Sequence, residues 1–585
     1  MAEAAVEQGE TFAGTGAAIL VESLCRAGVT MLFGVPGDTG VGLYDALHAA
    51  RGRITHILAR DERHAATMAD VYARRTNTVG VTEASSGGGA MYLVSGLGEP
   101  YAASVPMLVI TSDVHHRSRG TGAITEIDQE ALFTAVTKWR AVVEDAGDLP
   151  RLVAEALTAA TSGRPGPVSL IFPEDVFEQH RTVSFPPATA TAAKDTATPR
   201  IRLPADAALV RQAADALRGA ARPAIVAGGG VHLSAAWDTL AELAAGAGIP
   251  VATTIHGKGA FVDGSPWALG VVGANGAREY ANGYLADADV VLFVGTRANS
   301  TDTNGFTSPP RTATVLHLDA DAVRAGHNYP GSLVLVGDAA TVLAQLTEAL
   351  PPGLVATRGD LRDWIAAHRR EWDAASHESA TLPDGTLHPR DVVRAVRDAA
   401  GADCVVLGDA GTATPNLASY WEVAAAGRTV LLPRGHGPMG WAIPGAMGAA
   451  FAHPGRPVVA MTTEGSLAMA CGELETAVRF RLPIVFVQFT NGSFGWIKML
   501  QHLYMGERYF GVEPGPIDAP AVARGMGMRA VRVESLDAFT REFAAALATD
   551  GPCYIEVPVP DQITLTPPVA PWQATLAGMG GRPVY

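Results

Sequence analysis

Short apolar runs alternate with helical patterns along the whole chain, and this alternation limits the fold more than any other feature. The runs include Pro106–Ser112, Pro167–Phe172, Ala224–Ala227, Val290–Val294, Val458–Met461 and Ile484–Phe489. Each is mostly apolar instead of alternating regularly with polar residues, the pattern of a strand buried on both faces. Such strands need helices above and below, and a helix between successive strands leads to parallel pairing. The expected fold is therefore α/β, with mostly parallel sheets flanked by helices. At roughly 100–200 residues per domain, 585 residues make about three such domains. Two breaks in composition divide them. One is Pro186–Pro204, rich in Pro, Ala and Thr. The other is the charged helical stretch Arg358–His377 followed by Leu382–Pro389. The expected domains are 1–185, 200–350 and 380–585. The last ends in a proline-containing tail, Asp561–Tyr585, whose course the sequence leaves open.

Charge and composition remove several classes of function. A formal net charge of −15 disfavours a nucleic-acid partner, which selects a basic surface. The acidic N-terminus lacks a signal-peptide pattern, and no apolar run reaches the roughly 20 residues of a membrane span. A soluble, cytoplasmic protein without a membrane partner is expected. The four cysteines, Cys25, Cys404, Cys471 and Cys553, are far apart in apolar stretches and read as buried reduced thiols.

The chemistry concentrates at Thr463-Glu464-Gly465-Ser466, between a strand and the helical pattern Leu467–Phe480. A carboxylate at a strand end, followed by Gly and a helix start, can hold a cation and a phosphate together. Asn491 ends the next strand, and neighbouring ends of a parallel sheet lie side by side, so Glu464 and Asn491 can share one ion. Read alone, the pair fits two ordinary strand-ending polar residues equally well. The first and third segments also share a pattern. Gly88 leads through a helix to the strand starting at Pro106, as Gly465 leads to the strand starting at Pro483. Chance and two related α/β domains both remain open.

Val459–Lys498 resembles the diphosphate-binding motif of thiamine-diphosphate (ThDP) enzymes, with Thr-Glu-Gly and Thr-Asn at its two ends, and most closely the acetolactate synthase group. Further similarities follow in family order: Phe33-Gly34-Val35-Pro36-Gly37, Arg60–Arg74, Ser86-Gly87-Gly88-Gly89-Ala90 and Gly435–Gly448. The resemblance implies a ThDP- and metal-dependent carboligase with pyrimidine-binding, central and diphosphate-binding domains. It would decarboxylate a 2-keto acid such as pyruvate and transfer the acyl unit to a carbonyl acceptor. It also implies the site residues. Glu62 would be the catalytic carboxylate at the pyrimidine, with a pKa raised by shielding from water. Pro36, Gly37, Gly87, Gly411, Thr412, Ala413, Gly437, Met439, Gly465, Ser466, Asn491 and Ser493 would contact the cofactor, Met439 by holding it bent. Glu464, Asn491 and the Ser493 carbonyl would hold Mg²⁺. A homodimer or homotetramer with shared active sites is implied as well.

Departures from the family pattern sharpen the expectation. The metal aspartate of the family is Glu464 here, one methylene longer, which admits a larger ion such as Ca²⁺. The His before the catalytic Glu is Asp61. Thr125 stands where synthases carry Gln, and Ile497 where simple decarboxylases carry a proton-donating Glu, which favours ligation. Candidate substrate contacts are His115, His116, Thr125, Arg297 and Trp496. For Arg297 the expected task is gripping an acceptor carboxylate. Gly273-Ala274-Asn275-Gly276 loosely fits a flavin-binding loop, so FAD is a side alternative. A non-ligating decarboxylase, an acyl transferase and a non-catalytic ThDP-binding paralogue are the rival readings.

Overall fold

The computed structural model describes residues 10–185, 196–378, 382–383, 385–579 and 581–582. It contains three six-stranded sheets, each parallel throughout and flanked by helices, plus one antiparallel pair, Glu10–Thr15 with His180–Phe185. The apolar runs read from the sequence are strands, with ends displaced by a residue or two. Pro106–Ser112 is Met107–Asp113, and Val458–Met461 extends to Thr463. The helical pattern Leu467–Phe480 is divided at Cys471-Gly472 into Glu464–Ala470 and Glu473–Arg479. Glycine is a weak helix former, which accounts for the break.

The described chain forms two compact units. The first comprises residues up to Ile201 together with Met447–Ala452. Its sheet runs Thr55–Leu58, Met31–Val35, Gly80–Ala84, Met107–Asp113, Pro167–Pro173, Trp139–Val142. Leu20, Leu24, Leu108, Ile110, Leu170 and Phe172 are fully buried in its core. The helix Glu62–Thr76 starts at Asp61, whose carboxylate accepts the Arg63 N–H, and stops where Asn77 turns left-handed at φ 52°. That capping role gives a physical reason for an aspartate at position 61. Of the expected linker 186–204, residues 186–195 lie outside the described chain. Part of the remainder is tied down, with Val79 N–H donating to Thr196 O and Thr198 N–H to Asn77 O.

The second unit comprises Arg202–Ala446 and the chain from His453 onward. One of its sheets runs Ala268–Val271, Val251–Thr253, Pro223–Ala227, Val290–Val294, Thr314–Asp319, Leu333–Val336. The other runs Val430–Leu431, Val405–Gly408, Val458–Thr463, Ile484–Thr490, Cys553–Pro558, Arg529–Arg532. Numbered by chain order within each sheet, this last sheet reads 2-1-3-4-6-5, as does the sheet of the first unit. The shared glycine-turn pattern therefore accompanies a shared topology. The other sheet reads 3-2-1-4-5-6. The charged stretch 358–377 is mostly one helix, Gly359–Ser376. The tail includes a short helix, Ala570–Leu576, whose Trp572 is fully buried.

All four cysteines are free. Cys404 and Cys553 are buried, while Cys25 and Cys471 are only partly so, which corrects the expectation of four buried thiols. Among the described residues, no helix is long and apolar enough to cross a membrane.

Candidate cofactor and active site

In the sheet ending at Arg529–Arg532, chain direction switches sides between Val405–Gly408 and Val458–Thr463. Clefts at such switch points, beyond the strands' C-terminal ends, are where open α/β sheets bind ligands. Here the cleft is a cavity of about 580 Å³. Ala410, Gly411 and Thr412 follow one strand, Thr463, Glu464 and Gly465 the next, and Asn491 and Ser493 the third. Gly437, Met439, Trp496 and Ile497 also line it.

Glu464 is 9% exposed. Its Oε1 accepts backbone N–H groups of Asn491 at 3.1 Å and Gly492 at 2.8 Å, and the Asn491 side-chain oxygen accepts the Ser493 N–H at 3.1 Å. Burial raises the Glu464 carboxyl pKa, partly offset by these backbone donors. Glu464 and Asn491 thus meet at one strand-end turn, with the Ser493 N–H on the Asn491 amide oxygen. Oxygen donors of this type suit a hard cation. Gly411 holds φ 102° and Gly437 φ 68°, conformations that favour glycine. A Cβ on Gly465 would come within 2.7 Å of Met439 Cε and 2.8 Å of the Phe494 ring.

Ser466 and Ala413 do not line the cavity. Both are fully buried, and Ser466 hydrogen-bonds Asp409. Asp409 is a residue the sequence reading missed. Fully buried, it accepts backbone N–H groups of Trp441 and Ala442 and the Thr462 hydroxyl at 2.8–2.9 Å. Burial raises its pKa. As a strand-ending carboxylate it carries the same signal as Glu464. Other missed lining residues are Thr301, Arg434 and Gln562, while Asn275 comes from the loop read as flavin-like and His436 from the segment Gly435–Gly448. Arg297 is not among the lining residues. Its carbonyl accepts the Asn328 amide, and its charge bears on buried Asp302. Trp496 lies against Trp572, ring centroids 4.3 Å apart.

The first unit gathers a second set of expected residues at the matching switch point of its own sheet. Pro36 and Gly37 follow Met31–Val35, and a Cβ on Gly37 would strike the Ser85 side chain. Gly87, at φ 60°, packs on Thr125, which is itself left-handed at φ 69°, and Ser86 Oγ donates to Thr125 Oγ1 at 2.8 Å. A Cβ on Gly89 would lie 3.1 Å from Glu62 Oε1, so the carboxylate faces this glycine turn. Burial raises the Glu62 pKa, and the negative charges of Asp61 and Glu83 add to the shift. His115 and His116 follow the neighbouring strand, Met107–Asp113. His116 bridges Asp175 and Glu144, which raise its pKa, and His115 Nδ1 accepts the Arg117 N–H.

Comparison with known proteins decides the family. Residues 14–132, 210–346 and 409–557 match the N-terminal, central and C-terminal domains of thiamine pyrophosphate enzymes. The acetolactate synthase large subunit of Parasynechococcus marenigrum is 33% identical over 582 residues, covering 98% of this chain and 91% of that protein. The acetolactate synthase of Mycobacterium bovis is 34% identical over 496 residues, covering 85% and 79%. A probable acetolactate synthase large subunit of Methanocaldococcus jannaschii is 31% identical, covering 95% and 93%.

The chain belongs to the thiamine pyrophosphate enzyme family. It is a ThDP-dependent enzyme, and the cavity suits the family's cofactor. Glycines stand where the backbone must approach a ligand closely, Met439 and Phe494 converge above Gly465, and Glu464 with Asn491 offers oxygen donors beside them. Asn275 and Gln562 also line the cavity.

Proposed function

We propose that the protein is a metal-dependent carboligase, which decarboxylates a 2-keto acid of the pyruvate type and joins the acyl unit to a carbonyl acceptor. The observation that carries this reading is the apolar Ile497 in the cavity wall. Among the described lining residues the sole carboxylic acid is Glu464, and its Oε1 is bound by the backbone of the next strand end. Ile497, not an acid, lines the wall after the Asn491 turn. An apolar side chain at that place, where simple decarboxylases of the family carry a proton-donating Glu, favours transfer of the acyl unit to a second carbonyl. The acetolactate synthases among the relatives support the same reading.

In this reading residues 1–185 bind the pyrimidine, 200–350 form the central domain and 380–585 bind the diphosphate. When bound, the cofactor supplies the carbon nucleophile that attacks the donor's keto carbon. Glu62, whose carboxyl pKa is raised by burial, would share a proton with the pyrimidine ring nitrogen. Gly437 and Met439, which line the cavity, would hold the pyrimidine end of the cofactor. Gly411, Thr412 and Gly465 bound the diphosphate, while Glu464, Asn491 and the Ser493 carbonyl hold Mg²⁺. Subunits pair as homodimers or homotetramers, with Glu62 of one subunit serving the cofactor held by another.

The test is CO₂ release from pyruvate and related 2-keto acids by the full chain with ThDP and Mg²⁺, with and without added aldehydes. Release coupled to a ligated hydroxyketone supports the reading. Free aldehyde as the sole product under every acceptor condition rejects ligation.

A further inference from the structure

Arg434 is the one arginine or lysine among the described residues that line the cavity. It follows the edge strand Val430–Leu431, in the turn that leads to Met439. Its backbone N–H donates to His256 Nε2 at 3.3 Å, which pins the turn to the loop after Val251–Thr253. The side chain is half-buried. Its Nη1 comes within 3.9 Å of where a Cβ on Gly437 would stand, and the guanidinium carbon lies 6.0 Å from the centroid of the Trp496 ring. The guanidinium is therefore held between Gly437 on one side and the wall that carries Trp496 and Ile497 on the other. Asp302, which accepts the Thr296 hydroxyl, lies within electrostatic reach of His256, Arg297 and Arg434. Of these two arginines only Arg434 lines the cavity.

The task of such a group follows from the charge changes of the reaction. A guanidinium presents paired N–H donors that match a carboxylate. Beside the carboxylate that leaves as CO₂, a cation binds the ground state more tightly than the transition state, where that charge is being lost, and so opposes the step. Beside a carboxylate that survives into the product, it adds binding and orientation without that cost. Resting on the carboligase reading above, we propose that Arg434 determines specificity by gripping a substrate carboxylate that is retained in the product. Two substrates can carry it: the acceptor, next to its carbonyl, or the donor, at the end remote from its keto carbon. The site thereby prefers an anionic partner to a neutral one of similar size.

The overall step balances as follows. The donor's bond between carboxylate and keto carbons breaks, and the carboxylate leaves as CO₂. The electron pair of that bond stays with the keto carbon and forms the new bond to the acceptor's carbonyl carbon. The acceptor's oxygen takes one proton. The gripped carboxylate enters and leaves unchanged, and no oxidant or reductant is needed.

The test uses the full chain with ThDP and Mg²⁺ and two matched pairs of substrates. Glyoxylate and methyl glyoxylate serve as acceptors for saturating labelled pyruvate, and the crossed product is counted. 2-Oxoglutarate and 2-oxopentanoate serve as donors to acetaldehyde. In wild type the member with the extra carboxylate is favoured in kcat/KM, in at least one pair, by on the order of tenfold or more, the scale of hydrogen bonds to a charged group. The pair that responds tells whether acceptor or donor carries the gripped carboxylate. In Arg434→Met and Arg434→Gln that preference falls towards one, and Arg434→Lys, which keeps the charge, retains more of it. Wild-type ratios near one in both pairs, or a preference unchanged in Arg434→Met and Arg434→Gln, overturn the proposal. A second readout is independent of turnover. Glycolate and 2-hydroxyglutarate, unreactive counterparts of glyoxylate and 2-oxoglutarate, are titrated into the ThDP-loaded protein by calorimetry. At least one of them binds Arg434→Gln about tenfold or more weakly than wild type. Equal binding of both probes to the two proteins overturns the proposal. A loss of ThDP affinity of that size in place of these changes assigns Arg434 to the cofactor and also overturns it. Absence of CO₂ release from any donor defeats the carboligase reading, whereas the glycolate and 2-hydroxyglutarate titrations still decide the role of Arg434.

Discussion

The Glu464 carboxylate accepts the backbone N–H of Asn491 at 3.1 Å, so the acid that ends one strand is fastened to the turn that ends its neighbour. Parallel pairing of Val458–Thr463 with Ile484–Thr490 makes this reach possible, with Thr463 opposite Phe489. The longer glutamate spans the gap between adjacent strand ends. Glu464→Gln keeps the shape and removes the charge. ThDP binding in the presence of Mg²⁺, followed by calorimetry, is expected to weaken at least about tenfold, the scale on which altering a metal site's partners acts. Unchanged affinity would separate Glu464 from the metal.

Asp409 ties the same sheet to the start of the helix Ala442–Ala452. Its carboxylate gathers Trp441 N–H, Ala442 N–H and the Thr462 hydroxyl in a fully buried position. Asp409→Ala strands those donors away from water. Urea unfolding is expected to show a loss of about 2–3 kcal/mol. Asp409→Asn, which keeps an acceptor oxygen, should lose less.

Glu62 gives a pH-dependent signature in stability. Its carboxyl pKa is raised in the folded chain, first by burial and further by Asp61 and Glu83. The folded state therefore binds a proton more readily than the unfolded one between the ordinary carboxyl value and the raised value. The contribution to stability is complete below the ordinary value and is lost as pH rises through the raised one. Relative to wild type, Glu62→Gln should gain melting temperature across that window and then hold a constant advantage. Thermal melts of both proteins across acid to neutral pH check the sign. A difference that shrinks with rising pH contradicts it. Turnover by Glu62→Gln should fall by two orders of magnitude or so, the usual scale of a lost acid–base group.

The tail is held by an aromatic contact. Trp572 is fully buried and lies 4.3 Å, centroid to centroid, from Trp496, with Met499 and Val569 completing the cluster. Trp572→Ala removes a large buried ring, a change worth about 3–5 kcal/mol in a packed core. The segment carrying Gln562 should then become sensitive to limited proteolysis while the sheets stay intact. Trp572→Phe should retain protection.

Much of this was legible in the sequence, for identifiable reasons. Strands buried on both faces write continuous apolar runs, so Val290–Val294 could be read to the residue. The spacing from Gly88 to Pro106 and from Gly465 to Pro483 follows from two sheets with one strand order. Glu464 and Asn491 were visible because strand-ending polar residues interrupt an apolar pattern. Asn275 carried only a partial signal. Its flanking glycines marked a special backbone, but nothing local says that the residue between them lines the cavity. Gln562 lies in a proline-rich tail without periodicity, and its place in the cavity is a matter of tertiary packing alone. Thr125 meets Gly87 only because a left-handed turn swings it there. Arg297 looked like a substrate residue from its place after a strand, yet it does not line the cavity.

The central claim is that this cavity joins two carbonyl compounds instead of merely releasing CO₂. The most direct measurement is the ratio of ligated product to CO₂ when isotopically labelled pyruvate and an aldehyde acceptor are turned over with ThDP and Mg²⁺, read by NMR. With the label at the keto carbon, the account predicts a ratio approaching one at saturating acceptor and a labelled carbon that forms one end of the new carbon–carbon bond. CO₂ accompanied by free labelled acetaldehyde, with no coupled product at any acceptor concentration, contradicts it.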